Sequence, residues 1–154
     1  MKEKLRVAGF LESSVSDGPG VRSVLFFQGC SRGCPGCHNK ELQGQSGGMD
    51  ASVQELVQFL LDTCPNRKLT LSGGEPLEQY PLLRDLMQEL FNSGFDLCLY
   101  TGYGREEVPK DLFPYLHYLK VGDYRQELRD LTLHYVGSRN QKLIDLQKEM
   151  EEQV

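Results

Sequence analysis

Three cysteines lie within eight positions of one short segment that also contains three glycines and a proline, GCSRGCPGCHN at residues 29–39. Cys30, Cys34 and Cys37 are spaced C-x3-C-x2-C. Thiolates are ligands for zinc and for iron–sulfur clusters, and a tight loop can bring several of them to one centre. The spacing therefore indicates a metal centre with these three cysteines as its candidate ligands.

Four interpretations of the triplet compete. Fortuitous or core cysteines are the simplest, but such residues are usually scattered and do not cluster in a Gly/Pro loop. The segment CPGCH at 34–38 matches the C-x-x-C-H pattern of haem attachment, which belongs to exported proteins and leaves Cys30 without a role. Structural zinc would add His38 to the three cysteines, although the adjacent Cys37 and His38 converge poorly on one tetrahedron.

The fourth interpretation is a [4Fe–4S] cluster with three cysteine ligands, and we favour it. Three thiolates leave the fourth iron without a protein ligand. An open metal position can bind and reduce a small molecule, as catalytic metal sites in general keep one position free.

Length and composition limit the possible classes of protein. The chain has 154 residues, and we expect one domain over residues 1–154. Its formal net charge of −5 disfavours sequence-independent binding to nucleic acid, which needs a cationic face. The first residues lack the apolar core of a secretory signal, and no run approaches the ~20 apolar residues of a membrane span. We therefore expect a cytoplasmic protein without a membrane segment, whose five cysteines are reduced.

Several predicted elements position the cysteines. Residues 21–28 form a β-branched and aromatic run that predicts a strand ending at Gly29 and leading directly into the cysteine loop. Residues 43–50 are a polar bridge, after which Ser52 caps a predicted helix over 53–63. The remaining predicted elements are a strand at 68–72, a helix at 80–94 that Gly94 ends, a strand at 96–101, a weaker helix at 105–115, strands at 118–121 and 133–136, and a terminal amphipathic helix at 141–154.

The alternation of strands and helices predicts parallel strands joined by right-handed crossovers, hence an α/β fold. A closed eight-stranded barrel needs ~250 residues. We therefore expect an incomplete TIM-type barrel of five to six parallel strands, open at one side. Ligands bind at the carboxyl ends of the strands in such folds, which is where the cysteine loop lies.

A second motif, LTLSGGEPL, follows the strand at 68–72. Gly73 and Gly74 remove side chains so that the main chain can approach a ligand, and Glu75 offers negative charge for an ammonium group. An ordinary strand-to-helix corner would use similar residues. Thr101, Ser138 and Asn140 are further candidates at predicted strand ends, although turn capping explains each of them nearly as well.

Five motifs occur in order along the chain: DGPGVR at 17–22, GCSRGCPGCHN at 29–39, LSGGEPL at 71–77, YTGY at 100–103 and GSRNQ at 137–141. Together with the C-x3-C-x2-C spacing at the end of the first predicted barrel strand, they resemble the radical S-adenosylmethionine (SAM) superfamily. Within it, they are similar to the activating enzymes of anaerobic (class III) ribonucleotide reductases.

The resemblance implies two cofactors, a [4Fe–4S] cluster on the catalytic residues Cys30, Cys34 and Cys37, and SAM. It implies that the amino and carboxylate groups of SAM chelate the open iron while the GGEP segment holds the amino end. The SAM-binding residues implied in this way are Gly36, Cys37, His38, Gly73, Gly74, Glu75, Thr101, Ser138 and Asn140.

The resemblance also implies an activity and two protein partners. Reductive cleavage of SAM yields a 5'-deoxyadenosyl radical, which takes a Cα hydrogen from one glycine of the reductase. An electron donor such as flavodoxin or ferredoxin is the second partner, and residues 17–22 are implied in docking. An activase of another glycyl-radical enzyme such as pyruvate formate-lyase, a small-molecule radical SAM enzyme, and a non-catalytic zinc or iron–sulfur module remain alternatives.

The chain departs from the wider superfamily at one place and from the pattern of the activating enzymes at another. Gly36 stands before the third cysteine where an aromatic residue is usual, and His38 follows it. The segment YLKVGDY at 118–124 replaces a V-D-G pattern, so Lys120 and Asp123 have no assigned role. The other two cysteines, Cys64 and Cys98, are expected in the core.

Overall fold

A computed structural model of the protein describes residues 4–29, 48–123, 125–130, 132, 136, 138 and 140–152. The cysteine triplet, Gly36 and His38 lie outside the described residues. The predicted strand at 133–136 also falls almost wholly outside them.

The described residues form one seven-stranded sheet. Its strands are β1 (Leu5–Ser14), β2 (Arg22–Phe27), β3 (Met49–Ala51), β4 (Lys68–Gly73), β5 (Asp96–Tyr100), β6 (Tyr118–Val121) and β7 (Lys142–Asp145). They lie in the order β3-β1-β2-β4-β5-β6-β7. The helices are α1 (Val53–Thr63), α2 (Leu82–Asn92) and α3 (Leu146–Glu152), with 3₁₀ turns at Pro76–Gln79, Arg105–Glu107, Lys110–Tyr115 and Gln126–Leu128.

Strand direction confirms the α/β class and corrects the number of parallel strands. Strands β2, β4, β5 and β6 pair in parallel, whereas β1, β3 and β7 pair antiparallel with their neighbours. The described sheet therefore has four parallel strands instead of five to six. A parallel pair needs a crossover of a dozen or more residues, and the short connection at 15–21 allows only an antiparallel hairpin between β1 and β2.

Three stretches were assigned wrongly or not at all from the sequence. Residues 142–145 are strand β7, not the start of the terminal helix, which begins at Leu146. Pairing with β6 overrides the local helical pattern there. The end of the predicted polar bridge, together with Ala51, forms the short strand β3, and no strand was predicted for β1.

Helix α1 has the bounds that the sequence predicts because its start is specified locally. The hydroxyl of Ser52 accepts a hydrogen bond from the main-chain nitrogen of Glu55 at 3.1 Å, and the Glu55 carboxylate accepts one from the Ser52 nitrogen at 3.0 Å. This reciprocal capping box satisfies two donors of the first turn. Val53, Leu56 and Leu60 are then buried on one face.

The other predicted helices are shorter than expected. The helix at 80–94 is confirmed over residues 82–92 and stops before Gly94, whose φ is +88°. The weaker helix at 105–115 is two 3₁₀ turns. Pro109 separates these turns and Pro114 lies within the second, and neither residue can donate the main-chain hydrogen bond of an α-helix.

The two faces of the parallel strands differ in chemistry. Apolar residues pack with the helices in one core that includes Leu25, Phe27, Leu69, Leu71, Leu97, Leu99 and Leu119. The residues that alternate with them on β4, β5 and β6 include Thr70, Ser72, Cys98, Tyr100 and Lys120. The face away from the helices is therefore polar. None of the helices in the described part of the chain is long and apolar enough to cross a bilayer.

Candidate active site at the carboxyl ends of the parallel strands

The carboxyl ends of β2 and β4 are joined by main-chain hydrogen bonds. The nitrogen of Gly74 donates to the carbonyl of Phe27 at 2.8 Å, and the nitrogen of Glu75 donates to the carbonyl of Gly29 at 2.8 Å. Gly29 directly precedes Cys30 in the sequence. The GGEP segment therefore contacts the residue from which the cysteine loop starts.

The close contact between β2 and β4 at this junction requires a glycine at position 73. Its φ is +108°, and a Cβ atom there would overlap the main-chain nitrogen of Phe27 and lie 2.5 Å from its carbonyl oxygen. Only glycine fits both the backbone angle and the space. The close approach that the sequence predicted for a ligand is, at Gly73, an approach of β2.

Glu75 is a buried carboxylate that joins the ends of β4 and β5. Glu75 is only 1% exposed to solvent. One carboxylate oxygen, Oε2, accepts from the Thr101 hydroxyl at 2.8 Å and from the Leu77 nitrogen at 3.1 Å. The other, Oε1, accepts from the Gly102 nitrogen at 2.7 Å. The structure thus brings the candidates Glu75 and Thr101 together, while the contact of Glu75 with an ammonium group stays a prediction.

Ser138 and Asn140 form a separate polar cluster beyond the end of β6. The Ser138 hydroxyl donates to Asn140 Oδ1 at 2.7 Å, and Asn140 Nδ2 donates to the Asp123 carbonyl at 2.8 Å. Gln141, which sequence reasoning did not name, accepts from the Ser138 nitrogen at 3.1 Å and donates to the Gly122 carbonyl at 3.0 Å. Its place in the GSRNQ motif was the available signal.

The two polar clusters are linked through the β5–β6 region. The nitrogen of Gly122 donates to the Tyr103 carbonyl at 2.9 Å, and the Tyr103 nitrogen donates to the Thr101 hydroxyl at 3.1 Å. Nearby, the Lys120 ammonium lies 4.1 Å from the centroid of the Tyr100 ring, a distance at which a cation and an aromatic face attract. Lys120 therefore places positive charge on the polar face of the sheet beside these clusters.

Gln79 is a second residue that sequence reasoning missed. It ends the 3₁₀ turn after the GGEP segment and is 8% exposed. Its Oε1 accepts from the Arg6 nitrogen at 2.7 Å, and its Nε2 donates to the carbonyls of Arg6 at 2.8 Å and Gln28 at 3.3 Å. No pattern in the sequence marks this glutamine, because its partners belong to distant strands.

Arg22 joins β2, β4 and β5 by hydrogen bonds near the amino ends of these strands. This arginine is 1% exposed and donates through Nε to Thr70 Oγ1 at 3.0 Å and through Nη2 to Asp96 Oδ1 at 2.7 Å. Further donors reach the carbonyls of Pro19 and Leu69. Arg22 is therefore a buried structural residue, so its guanidinium is not available for the docking role that the resemblance implies for residues 17–22.

The two remaining cysteines are core residues, as the sequence predicts. Cys64 caps α1 and Cys98 lies inside β5, and both are buried. Burial raises the pKa of Cys98 to about 12, so its thiol stays protonated at neutral pH. Neither residue has the properties of a metal-binding thiolate.

The donors for a metal centre lie in the loop that follows Gly29. Among the described residues, no three His, Cys, Asp or Glu side chains come together in a group that could hold a metal ion. The loop itself supplies three thiols, which suit iron and sulfide, and it starts where the GGEP segment meets β2. The donor set thus fits an iron–sulfur cluster, and the segment that carries it begins at this edge of the sheet.

Comparison with known proteins supports this assignment. Residues 16–144 match the family described as the 4Fe-4S single cluster domain. The anaerobic ribonucleoside-triphosphate reductase-activating protein of Haemophilus influenzae is 33% identical over an alignment of 145 residues, which covers 86% of this chain and 92% of that protein. The protein of the same name from Escherichia coli K12 is 33% identical over an alignment of 138 residues, which covers 82% of this chain and 90% of that protein.

A second kind of relative is longer than this chain. The pyruvate formate-lyase 1-activating enzyme of Escherichia coli K12 is 29% identical over an alignment of 150 residues, which covers 93% of this chain and 61% of that enzyme. The reductase-activating proteins match nearly end to end. The chain therefore belongs to the 4Fe-4S single cluster domain family and is a member of the anaerobic ribonucleoside-triphosphate reductase-activating protein family.

Proposed function

We propose that this protein is a radical SAM activase that generates a glycyl radical on an anaerobic ribonucleotide reductase. The observation that carries the proposal is the junction of β2 and β4, where the GGEP segment hydrogen bonds to the residues directly before Cys30. A cluster on the cysteine loop and a ligand on the GGEP segment would then be neighbours. The near full-length match to the reductase-activating proteins supports the same target.

Cys30, Cys34 and Cys37 are the proposed ligands of a [4Fe–4S] cluster. When bound, the cluster supplies the electron that cleaves the sulfonium bond of SAM to give a 5'-deoxyadenosyl radical. Three protein ligands match the need for one open iron that SAM can reach. The chemistry of this donor set is therefore consistent with the proposal.

The proposed task of the GGEP segment is to bind and orient the methionine part of SAM. The Glu75 carboxylate accepts from Thr101 and Gly102, which fixes the segment against the end of β5. An ammonium group close to this buried carboxylate would be favoured by its negative charge. Ser138 and Asn140 are proposed to bind the other end of SAM from the β6 side, and Gly36 and His38 to line its adenine.

The sheet is proposed to be the arc of a partial barrel that is open between its edge strands. In the part of the chain that the structure describes, β3 and β7 each pair with one neighbour only. An open side suits a substrate that is itself a loop of a large protein. A loop of a large reductase could not enter a closed barrel as freely, because side chains fill the interior of such a barrel.

The polar face of the sheet meets the carboxyl edge where this protein loop would enter. Ser72, Tyr100 and Lys120 lie on that face near the strand ends.

An electron donor such as flavodoxin or ferredoxin is the proposed second partner. The net charge of −5 supports protein partners over nucleic acid.

One experiment separates an enzyme from a binding module. The protein is purified without oxygen, reconstituted with iron and sulfide, reduced with dithionite and given SAM, and 5'-deoxyadenosine is measured. We expect product from the wild type and none from Cys34→Ala, whereas Cys64→Ser, which changes a buried core cysteine, stays active. A colourless zinc protein that forms no 5'-deoxyadenosine would refute the proposal.

The second candidate target is pyruvate formate-lyase. It is favoured by the 29% identity with the pyruvate formate-lyase 1-activating enzyme over 93% of this chain. Mixing the reduced protein and SAM with each target in turn distinguishes the two. A glycyl-radical signal that appears only with pyruvate formate-lyase would reverse the order of the candidates.

A further inference from the structure

Three successive carbonyls at the start of the cysteine loop are bound by one segment of the chain. The Phe27 carbonyl accepts from the Gly74 nitrogen and the Gly29 carbonyl from the Glu75 nitrogen, each at 2.8 Å. Between them, the Gln28 carbonyl accepts from the side chain of Gln79 at 3.3 Å. Gln79 is thus the side chain that completes this set of contacts.

The Gln79 carboxamide also hydrogen bonds to Arg6 of β1, and so connects the end of β2 to that strand. It both accepts from the Arg6 nitrogen and donates to the Arg6 carbonyl, as a main-chain partner in a sheet would. The Arg6 carbonyl in addition accepts from the Gln28 nitrogen at 3.1 Å. One buried amide therefore connects β1, the end of β2 and the turn after the GGEP segment.

Gly48, the first described residue after the cysteine segment, also lies next to Gln28. Gly48 has a φ of +82°, and a Cβ atom there would lie 2.6 Å from the Val7 carbonyl oxygen and 2.7 Å from Gln28 Cβ. Gly29 and Gly48 flank residues 30–47, so the described residues on both sides of that segment adjoin Gln28. A shift of Gln28 would therefore move both ends of the segment that carries the cysteines.

We propose that Gln79 is a positioning residue for the metal centre. Its carboxamide sets the start of the cysteine loop relative to Gly73–Glu75, and hence the cluster relative to SAM. This inference rests on the proposed function. Because a misplacement of about 1 Å at a reacting centre can lower the rate about 100-fold, loss of this contact affects turnover even when the cluster still binds.

Three substitutions of graded severity test the inference. Gln79→Asn keeps the amide on a shorter side chain, Gln79→Met keeps the length without hydrogen bonds, and Gln79→Glu turns the donor into an acceptor that faces two carbonyls. Gln88→Glu is the matched control, since Gln88 is exposed on α2 and undergoes the same change of charge. Iron and sulfide content, the EPR spectrum with and without SAM, and the rate of 5'-deoxyadenosine formation are measured for each.

We expect the Gln79 variants to bind iron and sulfide at close to the wild-type level. Their EPR spectra should lose most of the change that SAM produces in the wild type. The rate per cluster at saturating SAM should fall about 10-fold to 100-fold. The Gln88→Glu protein should match the wild type in all three measurements.

Two outcomes overturn the inference. Variants that differ from the wild type only in melting temperature, with unchanged spectrum and rate per cluster, would make Gln79 a stabilising residue alone. Failure of all three variants to fold would also contradict it, because a positioning role predicts folded proteins. A wild type that takes up no cluster would instead refute the proposed function, so the two failures are distinct.

Discussion

The Thr101 hydroxyl donates a 2.8 Å hydrogen bond to the carboxylate of Glu75, although the two residues lie 26 positions apart. Each follows the end of a different parallel strand, and Glu75 is 1% exposed. A buried carboxylate needs hydrogen-bond donors to offset the loss of water. The pair therefore fixes the geometry of two neighbouring strand ends at the proposed SAM site.

The first prediction concerns the coupling between these two side chains. Thr101→Val leaves the Glu75 carboxylate without one of its donors, and we expect it to lower the free energy of unfolding by about 1.5–3 kcal/mol. In the Thr101→Val protein, the further substitution Glu75→Gln should lower the free energy of unfolding much less than it does in the wild type, because the hydrogen bond between the two side chains is already lost. Urea unfolding of the four proteins measures this coupling.

Thr63→Val is the control for loss of a threonine hydroxyl. Thr63 is half-buried, and its hydroxyl donates a solvent-exposed hydrogen bond to the Phe59 carbonyl within α1. Its substitution should change the free energy of unfolding by less than about 0.5 kcal/mol. Strictly additive effects of Glu75→Gln and Thr101→Val would contradict the coupling.

The second prediction concerns the buried Arg22. Arg22→Met removes the donors to Thr70, Pro19, Leu69 and Asp96 and leaves the Asp96 carboxylate without its 2.7 Å partner. The Asp96 side chain is 27% exposed, so the carboxylate left behind stays partly hydrated. We expect a loss of about 1–3 kcal/mol in urea unfolding, chiefly from the buried acceptors that lose their donor. Arg84→Met, which breaks an exposed pair with Asp111, should have little measurable effect. Equal effects of the two substitutions would argue against Arg22 as a brace.

The third prediction compares two glycines that both have positive φ. Gly94→Ala, at φ +88° and with no atom within 4 Å of the added Cβ, should cost only the backbone strain of about 1–2 kcal/mol. Gly73→Ala, at φ +108°, also forces the new methyl group into the main chain of Phe27. Thermal unfolding should show a clearly larger loss for Gly73→Ala, and similar losses would mean that β2 and β4 can separate at this point.

The fourth prediction concerns pH and the buried thiol of Cys98. Burial raises its pKa from 9.0 to about 12, so the folded protein holds this proton where the unfolded chain releases it. The protonated Cys98 thiol therefore contributes to the free energy of unfolding in full below pH 9, and this contribution is lost as the pH rises toward 12. Between pH 8 and 10 the free energy of unfolding should fall by about 1 kcal/mol more than in Cys98→Ser, which cannot titrate.

Burial also raises the pKa of Tyr118, which adds a loss of stability of the same sign above pH 10. Urea unfolding between pH 8 and 10 therefore isolates the thiol. Identical pH profiles for the wild type and Cys98→Ser would show that the thiol is hydrated in the folded protein.

Local signals account for the elements that the sequence predicted well. The bounds of α1 follow from the capping box at Ser52, and the buried strand at 68–72 is a continuous β-forming run. Strand β1 carries no such signal, because a bulge between Val7 and Gly9 interrupts its alternation. The four residues of β7 are too few for a pattern, and their pairing with β6 decides their structure.

The same division holds for the site. The motifs name Glu75 and Thr101 as candidates for one site, and the structure places the two side chains in contact, since both follow buried parallel strands. Their direct hydrogen bond has no signature in the sequence. Gln79 was missed because its partner Arg6 lies 73 positions away on a strand that was not predicted. Contacts between distant segments are set by the assembled sheet, which local patterns do not encode.

The most direct test of the central claim is the EPR spectrum of the anaerobic ribonucleotide reductase after incubation with this protein. The protein is reconstituted with iron and sulfide, reduced, and mixed with SAM and the reductase in the absence of oxygen. We predict a glycyl-radical doublet with the wild type and none with Cys34→Ala. A wild type with a full complement of cluster and no doublet, or a doublet that persists in Cys34→Ala, would contradict the account.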